Sequence, residues 1–266
     1  PTWKIIVGNW KTIPALRAAA ILSAWVEMAS VKKYPRLNVG AGRIEKTEGR
    51  INADFYSGSN IDVVFDACKP WPFADGSIGV VESNHCLEHL PDPWNFFREA
   101  WRVLVSSPFC NVMLRLPYGP GVGGVGDLTH VRQWLPFSFC AFQPGYNDRV
   151  KNPQHDEWQW PFSVMSIYLR INPNLRWLVK PIIRRWGVPA LSYLWDGFIE
   201  MIVGMRALKN KEEVEKWQAS ERADVVPIAY CMYRHEYQNR VLEKDEQPKF
   251  MFFGPGSKEL QKQADG

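Results

Sequence analysis

Residues 36–66 read RLNVGAGRIEKTEGRINADFYSGSNIDVVFD, and this stretch decides the fold. It holds three short apolar runs, each ending on small or acidic residues. Arg36 to Val39 enters the glycine turn Gly40-Ala41-Gly42, which predicts a strand leading into a tight bend. Ile51 to Phe55 predicts a second strand, with Asp54 near its end. Ile61 to Phe65 is β-branched and bounded by turns, the pattern of a buried parallel strand. Between Gly42 and Arg50 there is no room for a crossover helix, which normally needs a dozen or more residues.

The pattern continues outward from this stretch. Ile78 to Glu82 predicts a fourth strand. Asp92-Pro93 starts a helix, with the Asp as cap and the Pro at the first helical position. Trp94, Phe97, Trp101 and Leu104 form its apolar face. Asn111 to Leu116 predicts a fifth strand, closed by Pro117. Five short strands within about eighty residues, with glycine turns and an intervening helix, predict an open α/β, Rossmann-like sheet with ligands at the carboxyl ends of its strands.

The flanks read differently. Residues 12–31 predict a helix capped by Thr12, with Pro14 in the first turn and Leu16, Ile21, Leu22, Trp25 and Val26 along one face. After Pro117 comes a glycine-rich loop, PYGPGVGGVGD, and then the aromatic run LTHVRQWLPFSFCAF. Residues 146–161 are polar and loop-like. Asn172-Pro173 predicts a second cap and first turn, and Pro189 a further helix running inward through Leu191, Leu194, Trp195, Phe198, Ile202 and Met205. Arg176, Lys180 and Arg184, with Arg170 and Arg185, read as a solvated basic face. Trp177, Trp186 and Trp195 read as core. Val225 to Met232 predicts a late strand. The resulting organisation is an N-terminal helical segment (1–35), a ligand-binding core (36–120), a helical cap or insert on the acceptor side (121–218), a late core strand (219–240) and a charged tail (241–266).

Composition narrows the classes. The chain has 266 residues, 46% of them hydrophobic, which supports a large core and excludes global disorder. A net charge of +4 falls short of the density that by itself argues nucleic acid. The five Cys, at 68, 86, 110, 140 and 231, form no C-x-x-C and are odd in number, so neither a disulfide framework nor a zinc motif is expected. His85 and His89 stand at i, i+4 without a third ligand in the pattern, and no metal is expected. The most apolar stretch, 187–205, is interrupted by Asp196 and Glu200, so no membrane span is expected. The opening Pro1-Thr2-Trp3-Lys4 lacks a signal-peptide pattern, and a cytoplasmic protein is the expectation.

The carboxyl ends of the strands carry the chemistry. Gly40, Ala41 and Gly42 would let the backbone approach a ligand closely, with Asn38 just ahead of them. Asp54 would take two ribose hydroxyls as a bidentate acceptor. Asp66 and Ala67 would meet an adenine edge. Residues 37–104 resemble the class I S-adenosylmethionine-dependent methyltransferases, in particular the methyltransferase-11-like group, through LNVGAG, NADF and VVFDACKPWPFADGSIGVVESNHCLEHLPDPWNFFREAWRVL; GDLTHVRQW (126–134) resembles a segment that follows the fifth strand in relatives.

That resemblance implies S-adenosylmethionine as cofactor, held by Asn38, Gly40, Ala41, Gly42, Asp54, Asp66, Ala67, Ser83 and Asn84. It also places Ser83, Asn84 and His85 on the methyl-transfer side, with Glu88 and His89 orienting their loop. Asn38 departs from the family's usual Asp or Glu. For proton removal from an acceptor the candidates are His130, His85 and Asp127, with Tyr118 behind them. The acceptor is unidentified, with a small molecule ahead of nucleic acid; DNA base methylation has no N-P-P-Y segment to support it, and a nucleic-acid acceptor would use the basic stripe of Arg176, Lys180 and Arg184. The competing expectation is a methyltransferase-fold protein with reduced or lost catalysis, acting as a homo-oligomer or as a binding or structural component of a larger assembly such as a virus or phage. Asn38 and the Trp-rich flanks motivate it.

Overall fold

The computed structural model describes residues 33–145, 159–175, 177, 178, 181, 182, 185, 196–220, 226–231 and 249–253. Among the described residues nine strands form one sheet: β1 (Arg36–Val39), β2 (Arg50–Asp54), β3 (Val63–Val64), β4 (Val80–Asn84), β5 (Val112–Pro117), β6 (Phe162–Ile171), β7 (Phe198–Ala207), β8 (Val226–Cys231) and β9 (Lys249–Phe253). Among the described residues the helices are α1 (Pro93–Val103), the single turn α2 (Val122–Val125) and α3 (Lys211–Gln218), and residues 177, 178, 181, 182 and 185 are also helical. The strand order is β3-β2-β1-β4-β5-β7-β6-β8-β9.

Strands β3, β2, β1, β4 and β5 are all parallel. The chain moves outward from β1 to β3, then crosses to the other side of β1 for β4 and β5. This reversal opens a crevice at the carboxyl ends of β1 and β4, where open α/β sheets bind ligands. β7 runs antiparallel between β5 and β6, so β6 points the same way as β5. β8 continues parallel to β6, and β9 closes the edge antiparallel to β8. The late strand falls where the sequence places it, and β9 uses the apolar patch of the tail.

Three expectations need correction. Of the helix expected from Pro189 through Met205, the residues from Phe198 on form β7, and residues 189–195 lie outside the described residues. The segment 121–218, expected as a helical cap, contributes both β6 and β7 to the sheet itself. The physical reason lies in their burial: FIEMIVGMRA is apolar on both faces of a central strand, so it lacks the alternation that separates a strand from a buried helix. The third run, expected as a buried strand over 61–65, pairs only through Val63 and Val64 at the sheet edge, where Val64 is 55% exposed. Among the flanking expectations, Trp177 is 76% exposed and not core, and Arg170 lies in β6. Trp186, Trp195, Arg176, Lys180, Arg184 and residues 1–32 lie outside the described residues.

Helix α1 forms as its sequence demands. Asp92 Oδ1 accepts from the Asn95 amide at 3.1 Å, satisfying one orphan donor of the first turn. Its buried face is Phe96, Phe97, Ala100 and Val103, with Trp94 and Trp101 at the margins. Each fully buried Phe stabilises by roughly 2–3 kcal/mol. Asn95 Nδ2 donates to the carbonyls of Ala67 (3.0 Å) and Lys69 (2.9 Å), fixing the segment after β3 against the helix.

The β1–β2 link has no helix. Its backbone is held by two amide side chains. Asn52 Nδ2 donates to Ile44 O at 3.0 Å and Asn60 O at 3.1 Å, and Asn60 Nδ2 donates to Gly42 O at 2.8 Å and Ile44 O at 2.9 Å. These bonds replace the internal ladder that a crossover helix would supply.

Candidate cofactor site and acceptor corner

The crevice begins with the turn after β1. Gly40 (φ +73°) and Gly42 (φ +54°) lie in the left-handed region that favours glycine. The amides of Gly40 and Ala41 both donate to Ala53 O, at 2.9 and 3.0 Å. A Cβ on Gly40 would fall 2.5 Å from the Cβ and Sγ of Cys86, whereas one on Gly42 would meet open space. The turn is therefore clamped on one side and open on the other.

Asp54 stands beside that opening at the end of β2. Its Oδ2 accepts from the Gly42 amide at 2.8 Å and its Oδ1 from the Tyr56 amide at 3.0 Å. Each oxygen keeps a further lone pair, so the carboxylate is oriented and can still accept from a diol. Asp66 Oδ1 accepts from the Cys68 amide at 2.9 Å, and Lys69 lies 3.5 Å from its Oδ2. Ala67 is buried, and its carbonyl also accepts from Trp71 Nε1 at 3.2 Å. Asn38 is fully buried and donates to Asn52 Oδ1 at 3.2 Å, joining β1 to β2.

At the end of β4, Ser83 is buried and Asn84 is half-buried. Burial, then the charge of Glu88, pushes the Cys86 thiol up to about 12, which leaves it a packing group and no nucleophile. His85 has a left-handed backbone (φ +49°), and both of its ring nitrogens face carboxylates: Nε2 to Glu200 Oε1 at 3.0 Å and Nδ1 to Glu88 Oε1 at 3.3 Å. Glu200 and then Glu88 raise its pKa to about 9, which favours its protonated form at neutral pH.

Glu200 also accepts from Arg115 Nε at 2.7 Å and Arg170 Nη1 at 3.1 Å. Burial works to raise its pKa, but His85 and the two arginines outweigh that and hold it at about 2. Sequence reasoning missed this clasp. Glu200 reads only as an interruption of an apolar stretch and Arg170 as part of a surface stripe. The available signal was one acid and two bases at apolar strand positions.

A second polar corner lies where the Leu87–His89 turn meets residues 124–132. Val131 N donates to Glu88 O at 2.9 Å. His130 Nδ1 lies 3.1 Å from Gly124 O, a contact that requires it to donate and leaves the lone pair on Nε2. That Nε2 is 3.8 Å from Asp127 Oδ2 and 4.0 Å from Glu88 Oε1. Hydrogen bonds from the Thr129 hydroxyl and amide hold the Asp127 carboxyl below its usual range. The structure thus brings His130 and Asp127 together and places His85 across Glu88 from them. Tyr118 is buried against Phe198.

Residues 33–108 match the family described as a methyltransferase domain, the methyltransferase-11 group. The matched span runs from β1 through α1 and includes Gly40, Gly42, Asp54 and Asp66. The chain carries a class I, S-adenosylmethionine-dependent methyltransferase domain. Uncharacterized methyltransferases of Mycobacterium sp. strains KMS and MCS are each 32% identical over 184 residues, 64% of this chain. The chain spans 66% of the length of those relatives. Solved structures similar to it include a SAM-dependent methyltransferase from Archaeoglobus fulgidus (TM-score 0.43, 15% identity, 72% of this chain and 94% of that one) and another from Aquifex aeolicus (0.36, 10%, 73% and 94%). The methyltransferase domain's match ends before β5, so residues 124–132, β6 and β7 lie beyond it.

Proposed function

We propose that this methyltransferase binds S-adenosylmethionine across the carboxyl ends of β1, β2 and β4 and passes its methyl group to a small-molecule acceptor in the cytoplasm. The observation that carries the reading is Asp54, an oriented carboxylate with lone pairs to spare beside the open face of Gly42. Gly40, Ala41 and Gly42 would lie under the methionine and ribose portion, Asp54 would accept from the ribose hydroxyls, and Asp66 with Ala67 would face the adenine. Ser83 and Asn84 would line the methyl side. The bound cofactor supplies an already activated methyl group, so the chain's own part is to position the acceptor and keep water out. Where the acceptor atom carries a proton, its removal falls to the corner of His130 and Asp127. His85, held protonated, fixes Glu88 and Glu200 in place.

A second reading, a binding or assembly role with lost catalysis, has one observation in its favour: Asn38 is buried in a strand-to-strand bond and offers the cofactor no charge. A nucleic-acid acceptor would draw on the basic residues, and of these Arg170 is engaged with Glu200. Calorimetric titration with S-adenosylmethionine and S-adenosylhomocysteine separates the readings. The expected result is micromolar binding by the parent and at least a tenfold loss in Asp54→Ala. A well-folded parent that binds neither ligand would overturn the enzyme reading.

A further inference from the structure

The two histidine motifs of the chain meet in space. One donor atom each from Glu88, His89 and His130 lies within 4.8 Å of the others, although His130 is 41 positions beyond His89. We infer that Glu88, His89 and His130, with Asp127 at the edge, form a site for one divalent cation of borderline character, Zn2+ or a metal like it. The site stands on its own geometry and goes beyond the proposed methyl transfer.

Glu88 is the first support. Its side chain is 1% exposed, Oε1 faces the His85 ring at 3.3 Å, and Oε2 has no hydrogen-bond partner. A buried carboxylate oxygen with nothing to accept from is costly, and a cation is one of the few groups that satisfies it. The orientation of the histidines is the second. His130 Nδ1 donates to Gly124 O (3.1 Å), and His89 Nδ1 lies 3.3 Å from Thr129 O and 3.0 Å from its hydroxyl, which in turn donates to Asp127 Oδ1 at 2.7 Å. A carbonyl only accepts, so both rings carry their proton on Nδ1 and their lone pair on Nε2. Metal-binding histidines are held in this way, with the second nitrogen bonded to a carbonyl or hydroxyl that fixes tautomer and angle.

The rings pack edge to face with centroids 4.7 Å apart. His130 Nε2 lies 4.0 Å from Glu88 Oε1 and 3.8 Å from Asp127 Oδ2. Tetrahedral zinc with ligands at ~2.0–2.2 Å sets them ~3.3–3.6 Å apart, so small side-chain rotations close the site. Two imidazoles and a carboxylate, with Asp127 half-exposed at the mouth, leave a position for a water or an acceptor hydroxyl. An ion there would lower the pKa of that group, so that its proton could pass to solvent water without a free His130 as base. The sequence did not show this because the i, i+4 pair His85 and His89 is not the ligand pair: His85 is tied to Glu200, and the third ligand comes from after β5.

The test uses the full chain, stripped with chelator and titrated with Co2+ as a visible-absorption probe, with Zn2+ as competitor. The expected result is one equivalent of Co2+ with d–d bands, displaced by Zn2+, and affinity lowered at least tenfold in His130→Gln, His89→Gln and Glu88→Gln. His89→Gln is the deciding variant if the substitution of buried Glu88 prevents folding, as judged by circular dichroism. Absence of stoichiometric binding, or equal binding by folded His89→Gln and His130→Gln, would mean an adventitious cation only and overturn the inference. S-adenosylmethionine is titrated into the same samples. Cofactor binding without the metal would sink the metal site alone, and metal binding without the cofactor would sink the proposed function alone.

Discussion

Gly40 is constrained twice, by its backbone and by its neighbour. Its φ of +73° disfavours any side chain, and the space a Cβ would enter is filled by Cys86. Gly42 shares only the first constraint. Gly40→Ala should therefore destabilise by about 2–4 kcal/mol, the sum of left-handed strain and an overpacked contact. Gly42→Ala should lower stability by about 1 kcal/mol and act mainly on the ligand, by placing a methyl group in the open face of the crevice. Urea denaturation of both variants, with cofactor titration alongside, checks this; equal destabilisation would remove Cys86 as the cause. These glycines were legible in the sequence because strand, turn and carboxylate recur in order. Asn38 was not, because its position in the motif says nothing about which side of β1 its amide would face.

The β1–β2 link works at the scale of an element. Asn52 and Asn60 hold the backbone of residues 42–45 with side-chain amides, and Asp54 faces the turn that this link continues. Asn60→Ala removes two bonds, but Ile44 O keeps Asn52 Nδ2 as donor and the exposed Gly42 O turns to water, so the expected destabilisation is the net worth of the two bonds, about 1–2 kcal/mol. Cofactor affinity should fall several-fold as well, because Gly42 loses its anchor. Denaturation midpoints and calorimetry measure the two effects, and an unchanged affinity would show that Asp54 and Ala53 alone set the turn. Elements β1, β2, β4, α1 and β5 were readable from period, cap and turn chemistry. Strands β6 and β7 were not, since a strand buried on both faces shows a mostly apolar run without strict alternation, and length alone does not separate a ten-residue strand from a core helix. Within β7, Glu200 was the clue, because a lone acid in such a run needs partners from neighbouring strands.

Across the whole molecule, the antiparallel insertion of β7 brings Glu200 level with Pro117 of β5 and Arg170 of β6, within reach of Arg115 and of His85 beyond the end of β4. One buried acid thus ties the two halves of the sheet together at the edge of the crevice. Its pKa is held at about 2, below the ordinary 4.5. A depressed carboxylate contributes stability that is present above its unfolded pKa and lost as pH falls through the folded value. The clasp should therefore be fully effective above about pH 4.5 and lose about 2–3 kcal/mol between there and about pH 2. Chemical denaturation across that window should show a steeper fall in the parent than in Glu200→Gln. At neutral pH, Glu200→Ala removes the carboxylate that Arg115, Arg170 and His85 share and exposes their mutual repulsion, for an expected loss of about 3–5 kcal/mol. Adding Arg115→Met relieves part of that repulsion, so the double variant should lose less than the sum of the single changes. Strict additivity in the cycle would mean that these groups act independently and that the sheet is held at this point by packing alone.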